Sequence, residues 1–481
     1  MASGAGGTLV YLIYEAGNFA PALALGAALR ARDMRCFLYS PYWLPETEDY
    51  VRRAREAGLA YLYENTALGG ATDIPQQLQD AGQPQLAQAW GALVPGAMPP
   101  ARWRHRLAAR LGHDLTEWLG YYEGRLAVAR RLLQVVGATA LAMAEDNVER
   151  DSACWSRAIH ERGGRATVIS YSAISVEEAA IVYYDRPEFS LRGWRDRLFA
   201  ILHPQWRLRH RGKQMTRLPV PRALAMERLG LAPRLPWVLN TGDVDAVLVE
   251  SEYMSQRFVE LGVSRAAVAA TGTVPMDRIA AQLQGATAAR AKLQAEFGID
   301  PAKRLLVCAI PPNQYPSRAA PEFADYAALV AGWVAGLTTC AEHYAILLAP
   351  HPAMTERDLQ VLRAACPYPI RLGGAGDVIP MCDLFVASVS STIKWALACG
   401  KPVVDYDCYR YGYDDYRKVA QVHQAVTRAE FEAVLAAFAD PAFASAQASQ
   451  AAAAAARFGQ LDGHATARLM NAVLQRGPAL G

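Results

Sequence analysis

Residues 383–407 read DLFVASVSSTIKWALACGKPVVDYD, and this stretch decides the fold. It opens with an apolar run at 384–389 that predicts a buried strand. A short helix is predicted at 393–399, and Gly-Lys-Pro separates this helix from a second buried strand. Short buried strands joined through a helix are typical of a parallel βαβ unit. The sequence therefore predicts an α/β protein built on parallel sheets.

Three hydroxyl residues, Ser390, Ser391 and Thr392, stand where the predicted helix begins. Hydroxyls at this position cap free backbone amides, and those amides together with the helix dipole attract an anion. We expect these residues to form a site for an anion. The alternative is that they are ordinary helix caps.

A second candidate group lies upstream, where residues 345–352 read AILLAPHP. The apolar strand stops at His351, and Pro352 blocks further pairing, so the imidazole is expected at the carboxyl edge of the sheet. In doubly wound sheets ligands bind at that edge. A single histidine is often structural, but its pairing with the serine turn in the same sheet favours a ligand contact.

The His-Pro pair, the Ser-Ser-Thr turn and the following GKPVV resemble the nucleotide-binding half of GT-B glycosyltransferases. More narrowly, they resemble bacterial transferases of CMP-activated acidic sugars, the sialic acid (nonulosonate) and Kdo enzymes, whose HP and Ser/Ser-Thr motifs hold CMP. Residues 400–416, GKPVVDYDCYRYGYDDY, are also similar to CDP-glycerol polymer transferases. The predicted architecture resembles these enzymes over most of the chain, whereas the matching motifs cover only short stretches. It implies two Rossmann-like parallel-sheet domains that face a central cleft.

The resemblance also indicates which donor is bound. UDP-sugar enzymes commonly carry a glutamate just after the serine turn to bind ribose, whereas Lys394 and Trp395 occupy that place here. The missing glutamate favours a CMP-sugar over a UDP-sugar. Lys394 would pair with a phosphate or with the carboxylate of the sugar.

Two further loops of the second half are expected at the donor. The loop 311–318 follows a predicted strand and offers an amide, a hydroxyl and an arginine, a set that suits phosphate or carboxylate binding, although a proline-rich surface turn is the alternative. The glycine run 373–377 lies between a strand and a helix and could hold the base or ribose, although it lacks the full P-loop pattern. The donor residues predicted in these loops are Asn313, Gln314, Arg318, Gly374 and Asp377.

The first half opens as a Rossmann-like unit, with a strand at 8–14, a turn and a helix at 21–32. The GxGxxG fingerprint is missing, which argues against a dinucleotide. In GT-B enzymes this turn faces the acceptor cleft, so the resemblance assigns Glu15, Gly17 and Asn18 to acceptor binding.

Adjacent carboxylates, Glu145 and Asp146, follow a predicted strand at 139–144. A transferase needs such a group either to deprotonate the acceptor hydroxyl or to attack the sugar. Bacterial sialyltransferases carry an acidic-acidic-Gly motif here with the second acid as general base, and this chain has Asn147 in place of the glycine. We therefore expect Asp146 foremost, and Glu145 with it, to be catalytic. The alternative is that the pair caps the next helix.

At the end of the first half, residues 245–277, the predicted order of strand, helix, strand and glycine turn is similar to that of many GT-B enzymes. By this resemblance Gly272 and Thr273 border the cleft and contact the donor. We predict an N-terminal acceptor domain at 1–285, a C-terminal donor domain at 286–460, and a helix at 461–481 that returns to the first domain.

Residues 189–217 form a basic segment in which eight Lys and Arg face one acid, giving 8 − 1 = +7, and aromatic and leucine side chains recur at roughly helical spacing. Basic amphipathic segments with aromatics are attracted to anionic lipid. We expect this segment to contact an anionic membrane surface. The alternative is a solvated basic helix packed on its domain.

Composition indicates which other ligands and which location are to be expected. The 481 residues carry a net charge of only +3, which argues against nucleic-acid binding. Eight cysteines without a CxxC or Cys/His cluster predict free buried thiols and no structural zinc. Several of these cysteines lie inside apolar runs, as buried free thiols do, which predicts a cytoplasmic protein, peripheral on the inner membrane if 189–217 contacts lipid. No secretion signal and no membrane-spanning apolar run is recognised.

The leading functional prediction is a metal-independent glycosyltransferase that moves an acidic sugar from a CMP-sugar to a cell-surface glycan or lipid-linked acceptor. We expect no cofactor and no metal, because no Asp-x-Asp of the kind that GT-A enzymes use is recognised. The alternatives are a CDP-glycerol-type or UDP-sugar transferase, a hydrolysing epimerase of the same fold, and a non-catalytic glycan-binding protein. Sequence leaves the linkage and the stereochemical outcome open.

Overall fold

The computed structural model describes residues 7–65, 73–93, 113–170, 176–314, 322–352 and 354–474. The contacts between residues divide the chain into two compact units. Unit 1 comprises residues 1–250, 254–274 and 466–481, and unit 2 comprises residues 251–253 and 275–465. The functional division at residues 285 and 460 stays a prediction.

Each unit is built around a parallel sheet of short, mainly apolar strands, and unit 1 also contains the polar hairpin β6–β7. The strands of unit 1 are β1 (Thr8–Leu12), β2 (Arg35–Ser40), β3 (Ala60–Tyr63), β4 (Ala140–Met143), β5 (Arg165–Ile169), β6 (Arg207–His210), β7 (Lys213–Thr216), β8 (Ala246–Val249) and β9 (Val268–Ala270). The strands of unit 2 are β10 (Arg304–Ala309), β11 (Tyr344–Leu348), β12 (Leu384–Ala387), β13 (Val403–Tyr406) and β14 (Val422–Ala425).

Helices connect and cover these strands. In chain order they are α1 (Phe19–Arg30), α2 (Thr47–Glu56), α3 (Ile74–Asp80), α4 (Pro84–Ala92), α5 (His113–Val136), α6 (Ser152–His160), α7 (Val176–Tyr183), α8 (Trp194–Leu202), α9 (Val220–Leu229), α10 (Glu252–Glu260), α11 (Val274–Gln284), α12 (Ala286–Phe297), α13 (Tyr326–Thr338), α14 (Glu356–Ala365), α15 (Ile393–Ala398), α16 (Arg428–Ala439), α17 (Pro441–Phe458) and α18 (Ala465–Leu474). No helix in the described ranges is both long and apolar enough to cross a membrane.

The two large sheets are parallel throughout. The sheet of unit 1 has the strand order β3-β2-β1-β4-β5-β8-β9, and the sheet of unit 2 has the order β11-β10-β12-β13-β14. The chain changes direction across the sheet between β1 and β4 in unit 1, and between β10 and β12 in unit 2. These are the topological switch points, where open α/β sheets bind ligands at the carboxyl ends of the strands.

Both faces of each sheet are covered, as parallel sheets require. Successive residues of β1 enter opposite cores, with Val10 in one cluster and Leu9 in the other. In β10, Leu306 and Leu305 divide in the same way between the two cores of unit 2. These doubly buried strands explain the continuous apolar runs in the sequence.

Two sequence predictions differ from the structure. The sequence also predicts one linker helix at 279–300, but in the structure this helix is interrupted at Gly285, which caps α12, because glycine is a poor helix interior residue. The basic segment 189–217 is not one amphipathic helix: it forms the nine-residue α8 and then the antiparallel hairpin β6–β7. The turn residues Arg211 and Gly212 have positive φ, which reverses the chain.

Candidate functional site

The candidate donor residues of unit 2 follow neighbouring parallel strands. His351 comes after β11, Asn313 and Gln314 after β10, and Ser390 after β12. Because adjacent parallel strands end at the same edge of a sheet, these loops share one edge. The β10 and β12 loops lie on either side of the switch point. Arg318, predicted in the β10 loop, lies outside the described residues.

The backbone just before the serine turn is strained. Val389 has a φ of 43°, in the left-handed region that a β-branched residue rarely adopts. Its backbone N–H donates to Asp405 Oδ1 at 2.7 Å, so the neighbouring strand holds the turn in this conformation. Burial raises the pKa of Asp405 to about 6, although the hydrogen bond from Val389 opposes the rise. Strained backbone held by its surroundings is a feature of ligand-binding sites.

The serine turn itself leaves hydroxyls accessible. Ser390 Oγ lies 2.8 Å from Thr392 Oγ1 and accepts from the Thr392 backbone N–H at 3.2 Å, and Ser391 is exposed. Thr392 is the N-cap of α15, but its side chain makes no capping hydrogen bond. Lys394 lies within α15 and is only 7% exposed. The hydroxyls are therefore better presented to a ligand than the predicted lysine.

The His-Pro turn lies beside the glycine run. A Cβ added to Gly374 would lie 3.5 Å from Pro352 Cγ, and the φ of 84° at Gly374 favours glycine. Desolvation lowers the pKa of His351, which favours the neutral form of its imidazole. Asp377 has protein partners: its carboxylate accepts from Gln282 at 3.0 Å and from Arg371 at 3.4 Å. Asp377 therefore holds the glycine run in place.

Sequence reasoning missed two features of this edge. The Tyr409 hydroxyl donates to Pro312 O at 2.8 Å and accepts from the Gln314 N–H at 3.2 Å, so it fixes the β10 loop. The sequence also contains an Asp-x-Asp at Asp405 and Asp407 that was not recognised. In the structure Asp407 accepts from two backbone N–H groups, of Tyr411 and Gly412, and Asp405 accepts from Val389. Both carboxylates therefore stabilise loops.

The candidate residues of unit 1 meet at its switch point. Glu15 follows β1 and Glu145 follows β4, and Arg150 connects them: Arg150 Nη2 lies 2.7 Å from Glu15 Oε1, and Arg150 Nε lies 4.0 Å from Glu145 Oε1. The Arg150 guanidinium also lies 5.9 Å from the ring centres of Tyr14 and Tyr42. This cluster joins the predicted acceptor and catalytic residues in one place, and the role of Arg150 was not predicted.

The two adjacent acids have different environments. The Glu145 side chain is 20% exposed, and burial together with the charge of Glu15 raises its pKa, while a hydrogen bond from Asn147 and the charge of Arg150 oppose the rise. Asp146 is buried, and its carboxylate accepts from Ser152 Oγ at 2.7 Å and from the Gly242 N–H at 2.8 Å. Burial raises the pKa of Asp146 as well, while these hydrogen bonds lower it.

The backbone of Asp146 is also engaged. Its N–H donates to Asn240 Oδ1 at 2.8 Å, and its carbonyl accepts from the Asn240 N–H at 2.9 Å. A Cβ at Gly242 would lie 2.2 Å from Asp146 Oδ2, so any larger residue there would displace the Asp146 carboxylate. Asp146 thus anchors the loop that leads into β8.

The remaining predicted residues of unit 1 divide between two locations. Gly17 is exposed and Asn18 is half-buried in the turn after β1, beside Glu15. Gly272 and Thr273 follow β9, the edge strand, which is three strands away from β4, and Thr273 is 1% exposed. The structure therefore places Gly17 and Asn18 at the switch point of unit 1, and Gly272 and Thr273 away from it.

Comparison with known proteins gives a likeness of fold. CalG4, the calicheamicin glycosyltransferase, superposes with a TM-score of 0.51 at 12% identity, covering 98% of this chain and 99% of that chain. The UDP-GlcNAc 2-epimerase from Neisseria meningitidis bound to UDP-GlcNAc and a glycosyltransferase from Rickettsia africae ESF-5 each give 0.49 at 8% identity, covering 98% of this chain and 100% of theirs. No protein-family model matches the sequence, and no curated protein matches it. The likeness to CalG4 and the two parallel α/β units show that the fold is GT-B.

Proposed function

We propose that this chain is a metal-independent glycosyltransferase that uses a nucleotide-activated sugar. One observation carries the proposal: in each unit, polar side chains follow the two strands at the switch point. In unit 1 these are Glu15 and Glu145, which we assign to the acceptor, and in unit 2 they are Asn313 and Ser390, which we assign to the donor. Ligands of open α/β sheets bind at such positions.

Glu145 is our proposed general base. It is the more accessible of the two adjacent acids, and burial raises its pKa, which makes its carboxylate a stronger base. The acceptor oxygen forms a bond to the anomeric carbon, the bond from that carbon to the phosphate oxygen breaks, and the acceptor proton moves to Glu145. Arg150 orients Glu145, and we assign Asp146 to holding the loop at 240–242 because both of its carboxylate oxygens already accept hydrogen bonds.

For the donor we propose a CMP-activated acidic sugar, with a glycan or glycolipid acceptor. The support is the resemblance of the His-Pro and Ser-Ser-Thr motifs and the absence of a glutamate after the serine turn. Since Lys394 is buried, we assign the phosphate contacts to the hydroxyls of Ser390 and Thr392 and to the neutral imidazole of His351. Neutral donors hydrogen-bond to phosphate oxygens without adding charge. A UDP-sugar or CDP-glycerol donor remains the alternative.

A nucleotide panel tests this proposal. The thermal unfolding of the full chain is measured with CMP, CDP, UMP, UDP and GDP, without added metal. A ligand that binds only the folded state at a hundred times its Kd stabilises that state by about 2.7 kcal/mol. We expect CMP to stabilise selectively, and His351→Ala and Ser390→Ala to reduce the effect. Ser449→Ala, at an exposed position of α17, is the matched control.

Each other outcome has a definite meaning. A preference for UDP would replace the CMP-sugar by a UDP-sugar and leave the transferase proposal standing. A preference for CDP would favour the CDP-glycerol alternative. If none of the five nucleotides stabilises the chain against thermal unfolding, the transferase proposal is contradicted and a glycan-binding protein is favoured.

A further inference from the structure

Helix α8 exposes a large apolar face. The exposed fractions of Trp194, Ile201 and Leu202 are 71%, 70% and 66%, and that of Leu198 is 47%. At about 100° per residue, these four side chains lie within an arc of about 100° on one side of the helix. They form the apolar face of α8. A contiguous exposed apolar face of this kind usually marks an interaction surface.

The opposite side of α8 is fixed to unit 1. Phe199 and Ala200 are buried, and the Phe199 ring lies 4.9 Å from His203 and 6.5 Å from Trp206, centre to centre. Trp206 is fully buried and its indole N–H donates to Glu227 at 2.6 Å. The apolar face of α8 is therefore exposed to solvent, while the opposite side of the helix packs on unit 1.

Positive charge borders the apolar face on both sides. In the helical projection Arg195 and Arg197 flank it, and the hairpin β6–β7 adds further arginines. The exposed arginines of this region are Arg192, Arg195, Arg197, Arg207, Arg209 and Arg211. None of these six forms an ion pair with a carboxylate in the part of the chain that the structure describes. The one acid of α8, Asp196, accepts from the Gly193 N–H at 3.0 Å.

We propose that α8 and its flanking arginines dock on the surface of an anionic lipid bilayer. An apolar strip flanked by cations on both sides is typical of a helix that lies in the membrane interface. With nine residues α8 is about 14 Å long, too short to cross the hydrocarbon core and long enough to lie along it. The apolar side chains enter the interface, and the arginines contact lipid phosphates.

The structure separates this surface from the rest of the basic segment. Arg217 is 3% exposed and pairs with Glu149, and Lys213 donates to the Tyr184 carbonyl. These two cations therefore belong to the interior of unit 1 and to its hairpin. A nucleic acid or an acidic protein would use the arginines but would not require the exposed Trp194 and Ile201, and this difference makes the partner testable.

Vesicle co-sedimentation of the full chain tests the proposal without any nucleotide or acceptor, so its result is independent of the proposed function. The probes are vesicles of phosphatidylcholine alone and vesicles that also contain phosphatidylglycerol. We expect binding to the anionic vesicles only. The triple variant Arg192→Gln, Arg195→Gln, Arg197→Gln should bind about a hundredfold more weakly, since each arginine near the surface contributes about fivefold.

The apolar variant decides between lipid and other anionic partners. Trp194→Ser with Ile201→Ser should weaken vesicle binding at least about tenfold. The matched control, Val182→Ser with Val426→Ser, removes apolar side chains of 43% and 44% exposure elsewhere and should bind like the unchanged chain. Ile201→Ser alone serves as the backup variant if the double variant does not fold.

Three results would overturn the proposal. They are no binding to anionic vesicles, binding that the apolar variant does not reduce, and equal loss in the control. Unreduced binding in the apolar variant would point to a purely electrostatic partner, such as a nucleic acid or an acidic protein.

Discussion

At the residue scale, Glu145 and Asp146 make the sharpest prediction. Glu145→Gln should lower kcat by about 10²- to 10⁴-fold, because the amide cannot accept the acceptor proton. Stability should change little, since among the described residues the Glu145 side chain has no hydrogen bond shorter than the 3.3 Å contact from Asn147. Transfer rates and thermal unfolding of the same preparations measure the two effects.

Asp146→Asn is the matched control. It should lower stability by about 1–3 kcal/mol, because the amide NH₂ must face one of the two donors, Ser152 Oγ–H or the Gly242 N–H, that the carboxylate oxygens now satisfy. Activity per folded molecule should fall less than in Glu145→Gln. If Asp146→Asn instead abolishes turnover while the folded state keeps its stability, Asp146 is the base and our assignment is wrong.

Val389 gives a second prediction at this scale. Glycine normally destabilises by about 0.5–1 kcal/mol relative to alanine, but at a φ of 43° that order should reverse. We expect Val389→Gly to be about 1 kcal/mol more stable than Val389→Ala, measured by denaturant unfolding. Ser388, whose φ is not positive, is the control position. There Ser388→Ala should be more stable than Ser388→Gly. Equal stabilities of the two Val389 variants would refute the strain.

These residue-scale details could be predicted only in part. Two adjacent acids at the end of a strand were recognisable, but their sequence does not show which one is buried, because that depends on the loop at 240–242, about a hundred residues later in the chain. The left-handed Val389 was also not predictable, since valine is a poor residue for that conformation and Asp405 imposes it from the next strand. The resemblance favoured Asp146, whereas the contacts favour Glu145.

At the element scale, His160 at the end of α6 holds the loop that enters β8. Its Nδ1 lies 2.9 Å from Asp243 Oδ2 and its Nε2 lies 2.8 Å from Asp245 Oδ2. Both ring nitrogens must donate, which requires the charged imidazolium. The hydrogen bond to Asp245 and then that to Asp243 raise the pKa of His160 to about 9, although burial opposes the rise.

The pH dependence of stability follows from that shift. Because the pKa in the folded state is above the unfolded value of about 6.5, His160 contributes its full stabilisation below pH 6.5 and loses it as the pH rises through about 9. His160→Gln should therefore cost about 2 kcal/mol at pH 6, discounted for the exposure of Asp243, and almost nothing at pH 10. A cost independent of pH, measured by urea unfolding, would contradict the charged pair.

The elements themselves were easier to predict than their interruptions. Strong apolar runs such as TLVYL in β1 are recognisable because both faces of a parallel strand are buried. The short edge strands β3 and β14 were not predicted, since a strand of four residues gives a pattern too short to recognise. The basic segment showed a helical spacing of aromatics, but Phe199 and Trp206 are buried while Trp194 is exposed, so one pattern combined an inner and an outer face.

At the scale of the whole molecule, each unit has its own sheet and its own cores. Unit 1 is stabilised by the two clusters on the faces of its seven-stranded sheet, and unit 2 by the two on its five-stranded sheet. A chain organised in this way need not unfold in a single step. Ligands that bind one unit should therefore be detectable by where they protect the backbone, and not only by a shift in Tm.

Hydrogen exchange should assign the donor and acceptor roles to the two units. With the preferred nucleotide at a hundred times its Kd, amide exchange in the loops 349–352 and 388–392 should slow by up to about a hundredfold, because only the folded, bound form holds the ligand. Residues 14–18 and 145–150 should be protected only when an acceptor is added. Ser390→Ala should lose the nucleotide-dependent protection and keep the acceptor-dependent protection. Nucleotide protection that appears first at 14–18 would reverse the two assignments, since the donor would then bind at the switch point of β1 and β4.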